Sequence, residues 1–175
     1  LISEYKENPI GKLATVYCDK FHFEDKALIF GDAAHAIVPF FGQGMNASFQ
    51  DCTVVNKLIT KHDGKWGNVF SDFSKYHVPN GHAIANMALE NYIEMRDSVN
   101  DPHFKRRREL EFELEEKFKD RFIPRYSMVS FHDIPYSEVY KRGLVQLSLI
   151  DRYLSNELSK EKLYKGVLTE LNLLT

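Results

Sequence analysis

The residues best suited to chemistry lie in one stretch, Gly31-Asp32-Ala33-Ala34-His35-Ala36-Ile37-Val38-Pro39-Phe40-Phe41-Gly42-Gln43-Gly44-Met45-Asn46-Ala47. Before it, Ala27-Leu28-Ile29-Phe30 is short and continuously apolar, as in a strand buried on both faces, and it runs into Gly31 and a carboxylate. Ligands of open α/β sheets lie outside the carboxyl ends of strands, so Asp32 is placed to accept hydrogen bonds from sugar hydroxyls. Gly42 and Gly44 flank Gln43 just before a helix expected to begin near Met45. Glycines let a flat ligand approach the backbone. The first turn of a helix offers unpaired N–H groups and the positive end of its dipole. Together these parts suit a planar ring that carries negative charge at one edge. The plainer reading is a strand–loop–helix connection whose glycines only make a turn, and a lone Gly-x-Gly would deserve it.

Other candidates are weaker. Asn91 interrupts the apolar face of Ile84, Ala88 and Met95. A buried amide without partners costs about 1–3 kcal/mol, so Asn91 is either a tie between helices or a ligand contact. Tyr126 follows Pro124 closely in an expected linker, where simple packing is the ordinary role of a tyrosine. His35 has no paired serine, cysteine or carboxylate that would make a triad. Glu94 and Arg96 read as an ion pair or as helix-surface groups. His77 and His82 are five apart, which does not put two metal ligands on one helix face, so no metal is expected. Lys105-Arg106-Arg107-Arg108 reads as a solvated helix face, with a membrane or partner surface as the alternative.

The elements that must position these residues fall into two regimes. Leu13 to Tyr17 reads as a strand after the Pro9-Ile10-Gly11 break, and a turn at Glu24-Asp25-Lys26 leads into Ala27–Phe30. Met45, Phe49, Cys52, Val55 and Ile59 recur at helical spacing and predict the packed stripe of one helix. From there the chain is almost all helix. A second helix starts near Asn68, is interrupted or kinked at Pro79-Asn80-Gly81 and resumes to Val99. Asp101-Pro102 is a cap and first-turn pair for a third, with Leu110, Leu114, Phe118 and Phe122 buried and with Glu113–Lys117 and Glu115–Lys119 pairs outside. Pro124 is expected to end it, and Arg125 to His132 reads as a linker. A fourth helix from Tyr136 carries Tyr140, Leu144, Leu147, Ile150 and Leu154, and Lys160 to Thr175 holds a further short helix.

With 175 residues, 43% hydrophobic and 27% charged, the chain has the composition of a soluble globular domain. Its net charge of −2 gives no footprint for nucleic acid. Cys18 and Cys52 are too few for a disulfide scaffold and imply free thiols in a reducing compartment. No run approaches the roughly 20 apolar residues of a membrane span; the best, Gly143 to Ile150, meets Asp151 and Arg152 at once. The opening Leu1-Ile2-Ser3-Glu4 lacks an initiator Met and a signal-peptide pattern, and reads as a cut inside a longer sequence.

Gly31-Asp32-Ala33-Ala34-His35, then Pro39, then Gly42-Gln43-Gly44-Met45-Asn46 resembles the second FAD motif of the flavoprotein aromatic hydroxylases. Ile37 to Ala47, with Asn91-Tyr92-Ile93-Glu94-Met95-Arg96 and Phe122-Ile123-Pro124-Arg125-Tyr126, is similar to the kynurenine 3-monooxygenase branch of that family. The resemblance covers about Lys12 to Phe131 and fades beyond Tyr140. It implies an α/β FAD-binding Rossmann-type fold, of which this chain would hold a few strands and mostly helices. It further implies that Gly31, Asp32, Pro39, Gly42, Gln43, Gly44, Met45 and Asn46 bind FAD: Asp32 at the ribitol, Met45 and Asn46 through backbone groups at the ring. Phe40, Asn91, Met95 and Tyr126 would contact the substrate, and His35 would serve the loop's structure.

The activity so implied is hydroxylation of L-kynurenine at ring position 3 with NADPH and O2, in a family found on the cytosolic face of the mitochondrial outer membrane. No Gly-x-Gly-x-x-Gly follows a strand here, and the arginine expected to clasp the substrate carboxylate is absent. The expected partner is therefore the amino-terminal half of the same enzyme, and any membrane contact would run through an anchor outside this sequence. Residues 1–62 would close the FAD-binding domain and end the substrate sheet; residues 63–175 would form a helical carboxyl-terminal region. Two alternatives stand beside this reading: another FAD-dependent phenol hydroxylase, or a non-catalytic helical interaction module that retains a flavin loop.

Overall fold

A computed structural model describes residues 2–9, 11–98 and 101–174. Ile10, Val99 and Thr175, at which a break, a helix end and the tail were expected, lie outside the described residues.

Among the described residues there are eight α-helices: α1 Ile2–Glu7, α2 Asp32–His35, α3 Gly44–Lys61, α4 Trp66–Ile93, α5 Pro102–Lys117, α6 Arg125–Phe131, α7 Tyr136–Leu154 and α8 Lys160–Glu170. A 3₁₀ turn at Pro39–Phe41 precedes α3, and a π turn at Glu94–Ser98 continues α4. The 28-residue α4 is the axis of the fold. Its Ala83, Ile84, Met87 and Ala88 pack against Val38, Phe41 and Ala47 on one side and Met128 and Val139 on the other. A second core joins α5, α7 and α8 through Leu110, Leu114, Leu149, Ile150, Leu163 and Val167. A third, small core of Phe21, Ala34 and Phe73 sits under α2.

Pro79 does not interrupt α4. The helix is closed around it by Asn80, whose side-chain amide donates to the Tyr76 carbonyl while its Oδ1 accepts from the Ser137 N–H of α7. One bond within the helix and one to α7 thus accompany the donor that proline removes. The start of α5 is as expected: the Asp101 side chain accepts from His103 N–H, with Pro102 in the first turn.

Several expectations are corrected. Among the described residues the only sheet is a two-stranded antiparallel pair, β1 His22–Phe23 with β2 Ala27–Leu28. Leu13–Tyr17 is extended but not in a sheet; Val16 N–H bonds the Ala36 carbonyl instead. Ala27–Phe30 is not buried on both faces, for Ile29 and Phe30 are exposed. A strand needs neighbours to become a sheet, and only one is present beside β2. The stripe assigned to α3 is also displaced. Met45 and Phe49 are 69% and 63% exposed, and the packed face is Ala47, Asp51, Val54, Val55 and Leu58.

Further along, α5 stops at Lys117 rather than Pro124, and Phe122 enters the core from the turn that follows. Glu113 pairs with Lys160 and Tyr164 of α8, not with Lys117, and Lys119 lies beyond the helix end. The expected linker Arg125–His132 is helical over Arg125–Phe131, because Met128 N–H closes onto the Pro124 carbonyl and Met128 and Val129 are buried. In α7 the buried face is Tyr136, Val139, Gly143, Gln146, Leu149 and Ile150; Leu144 is exposed.

Candidate functional site

The stretch singled out from the sequence folds as a turn residue at Gly31, a short helix, a 3₁₀ turn and the start of a long helix. Gly31 takes φ 61 and ψ −147, a conformation open mainly to glycine, and starts α2. A Cβ here would lie 3.3 Å from Ser48 Oγ. Asp32 is the first residue of α2 and is exposed. Gly42 sits at φ 68 and closes the 3₁₀ turn through its N–H to the Pro39 carbonyl. Gln43 precedes α3 and makes no side-chain cap there. Gly44, Met45 and Asn46 form the first turn, where backbone N–H groups have no intrahelical partner.

These parts border a groove of about 500 Å³ lined by Asp32, Ile37, Pro39, Gly42, Gly44, Met45, Ser48 and Phe49. A carboxylate stands at it together with an uncapped N-terminus of an 18-residue helix. Its size falls within the roughly 300–1,000 Å³ of ligand sites. The donor set fits a flavin nucleotide: an exposed carboxylate for ribityl hydroxyls, free N–H groups for the electron-rich ring edge, and glycines that let the ring approach. Of the other residues expected at the cofactor, Gly31 lies buried behind the groove. The Gln43 side chain is also buried, accepting from Asn46 Nδ2 at 3.0 Å and from the Tyr136 hydroxyl at 3.3 Å.

The four residues expected at the substrate gather around the Pro39–Phe41 turn. Asn91 Nδ2 donates to the Phe40 carbonyl at 2.7 Å and reaches Met95 Sδ at 3.5 Å, so it ties α4 to the turn. Phe40 packs on Tyr92 with ring centroids 4.4 Å apart, and Phe41 on Tyr126 at 5.5 Å. Met95 and Tyr126 are 56% and 51% exposed. Asn91 and Tyr126 also border a cavity of about 70 Å³ with Glu94, Arg107, Arg108, Glu111 and Arg125. That volume is far below an aromatic amino acid's requirement, so the four do not close a substrate pocket by themselves.

The charges around this cavity differ from expectation. Glu94 pairs with Arg107 at 2.8 Å, while Arg96 pairs with its neighbour Asp97. The basic run is therefore not one solvated face: Lys105 and Arg106 face out, and Arg107 and Arg108 turn inward to Glu94 and Glu111. Burial pushes the Glu111 carboxyl above its ordinary range, although both arginines oppose it. Glu90 is shared by Arg125 and by the Tyr140 hydroxyl.

One cluster had no herald in the sequence reading. Asp51 of α3, 1% exposed, accepts from Gly31 N–H and His35 Nε2, both at 2.7 Å. His77 Nδ1 of α4 lies 3.0 Å from its other oxygen, at ion-pair distance but without hydrogen-bond geometry. Burial pushes the Asp51 carboxyl up, but the bonds from His35 and Gly31 and the close His77 ring outweigh it and hold it well below the carboxylate range. Burial pulls His35 down, and the Asp51 hydrogen bond and charge more than reverse this, so its pKa is raised. The available signal was a single charge among Ala47, Val54 and Leu58 at helical spacing.

A family model described as an FAD binding domain matches residues 4–70. Kynurenine 3-monooxygenases from Myxococcus xanthus, Stenotrophomonas maltophilia and Cytophaga hutchinsonii are 46%, 43% and 41% identical to the chain over 143, 150 and 159 residues. These matches take in 82–89% of the chain but only 31–34% of each relative, so the chain spans about a third of the length of the curated relatives it matches. Groove and matches together place the chain among the FAD-dependent aromatic hydroxylases. Within that class the chain is similar, over most of its own length, to about a third of each of these kynurenine 3-monooxygenases.

Proposed function

We propose that this chain is the carboxyl-terminal part of an enzyme that hydroxylates L-kynurenine to 3-hydroxykynurenine with FAD, NADPH and O2. The observation that carries the proposal is the groove that brings the Asp32 carboxylate and the uncapped start of α3 together. FAD, when bound, takes reducing equivalents from NADPH and uses them to activate O2 for insertion into an aromatic ring. The protein's part is placement. Asp32 accepts hydrogen bonds from the ribityl chain, and the N–H groups of Gly44, Met45 and Asn46 stabilise negative charge at the ring. Pro39 and Gly42 form a wall that the ring can approach. Phe40, Met95 and Tyr126 supply aromatic and apolar contact to kynurenine, with Asn91 and Tyr126 toward its amino-acid part.

The amino-terminal half of the enzyme completes the site in this reading. Residues 1–62 belong to the cofactor domain and residues 63–175 to the helical region. The exposed Leu13, Tyr17, Ile29, Phe30, Met45 and Phe49 supply apolar surface for that half to cover. A mitochondrial location is no part of the proposal: the relatives named above are bacterial. No helix among the described residues is long and apolar enough to cross a membrane.

The test is the assembled enzyme, assayed for kynurenine-dependent NADPH oxidation with 3-hydroxykynurenine as product. Bound FAD with turnover of phenols alone would make it a sibling hydroxylase. An assembly that holds no FAD would leave a helical interaction module.

A further inference from the structure

A carboxylate as deeply buried as Asp51 is costly unless its charge is matched and its lone pairs are used. Here the matching groups come from two elements and Asp51 from a third. Gly31 N–H and His35 belong to the turn that carries Asp32, His77 belongs to α4, and Asp51 itself to α3. Gly31 adopts φ 61, which glycine takes without strain, and its N–H is donated to Asp51, which selects this conformation from the others open to glycine. His35 and Gly31 are buried and border no part of the groove, whereas Asp32, between them, is exposed and lines it. The cluster thus grips the turn on both sides of the one residue that faces the cofactor. On the far side, His77 Nε2 meets no protein partner. It borders a cavity of about 10 Å³ shared with His35, Gln50, Asn80 and Tyr136, about the room that one water needs, roughly 10–15 Å³.

We propose that Asp51 is a positioning residue: held between His35 and His77, its carboxylate fixes the Gly31–His35 turn and so the direction in which Asp32 presents its own carboxylate to FAD. This rests on the reading of Asp32 as a cofactor contact. Asp51 touches neither cofactor nor substrate, and it acts only through the turn. Because this carboxylate belongs to α3 and contacts the Gly31–His35 turn and α4, the ribityl side of the groove and the helix that starts at the ring are tied by one group.

The test compares Asp51→Asn, Asp32→Ala and the double variant in the assembled enzyme. The readouts are the FAD dissociation constant, from quenching of flavin fluorescence on titration of the apoenzyme, and the melting temperature of the apoenzyme. Each single variant is expected to weaken FAD binding about tenfold or more. The double variant is expected to be no weaker than Asp32→Ala, because both act through one contact. If Asp51→Asn lowers the melting temperature but leaves FAD affinity unchanged, or if the two losses simply add, Asp51 is structural only and the proposal is overturned. Unchanged affinity in Asp32→Ala would instead overturn the site reading, and the proposal with it. Should Asp51→Asn not fold, His77→Gln alters the carboxylate's partner on α4 and leaves every residue of the turn in place. It is expected to weaken FAD binding by about threefold or more, and unchanged affinity there overturns the proposal equally.

Discussion

At the residue scale the Asp51–His35 pair ties stability to pH, and the two partners act in opposite windows. The Asp51 carboxyl, lowered in the folded state, stabilises above the ordinary carboxylate value of about 4 and keeps doing so until strongly acidic pH. His35, raised in the folded state, stabilises fully below about pH 6.5 and loses that contribution as pH rises through its higher folded value. The groups facing His35 are Asp51 and, less closely, Asp32; His77 and Tyr136 share the cavity beside it. The melting temperature of the assembled enzyme is therefore expected to fall on the alkaline side of neutrality. That slope should flatten in Asp51→Asn; an equal slope in both proteins would contradict the pairing. At Gly31 two costs coincide, the φ of 61 and a Cβ 3.3 Å from Ser48 Oγ. Urea denaturation of Gly31→Ala should show a loss of about 1–3 kcal/mol.

At the element scale, helix propensity and packing oppose each other at Gly166 of α8. Alanine would gain about 1 kcal/mol in a helix interior. Its Cβ, however, would stand 2.6 Å from Leu149 Cδ2, in a core where Leu149 is 1% exposed. Overpacking costs about 1–3 kcal/mol, so Gly166→Ala should be net destabilising and should open the α7–α8 contact first. Faster amide exchange in α8 than in α4 would report this. The contrast between elements also explains what could be read from the sequence. Asp101-Pro102 announced α5 because capping is a local interaction. Leu13–Tyr17 was read as a strand from its β-formers and Ala27–Phe30 from its apolar run, but strands are completed by neighbours, and only Ala27–Leu28 finds one. Pro79 was read as an interruption or kink, yet the helix runs through it, and Asn80 bonds both Tyr76 one turn back and Ser137 of α7, a partner that no local pattern encodes. Within the site, Asp32, Pro39, Gly42, Gly44 and Met45 were legible because their motif is contiguous. The Asp51 cluster was not, because it joins residues 31, 35, 51 and 77 only in space.

At the scale of the whole molecule the exposed apolar residues carry the prediction. Met45 and Phe49 line the groove from the outer face of α3, while Ala47 and Asp51 anchor its inner face. Phe49→Ser should leave the stability of this chain within about 0.5 kcal/mol, as for other surface positions. It should nonetheless reduce recovery of the amino-terminal half when the two polypeptides are co-purified, and equal recovery would remove this face from the proposed contact. An 18-residue helix is about 27 Å long at 1.5 Å per residue, and α3 has obligations on both sides along that length. Tolerance to substitution will then not follow exposure. In a saturation scan selected on activity of the complete enzyme, Met45 and Phe49 should reject polar replacements as firmly as interior positions do. In a scan selected only on folding of this chain, the same two positions should accept almost anything.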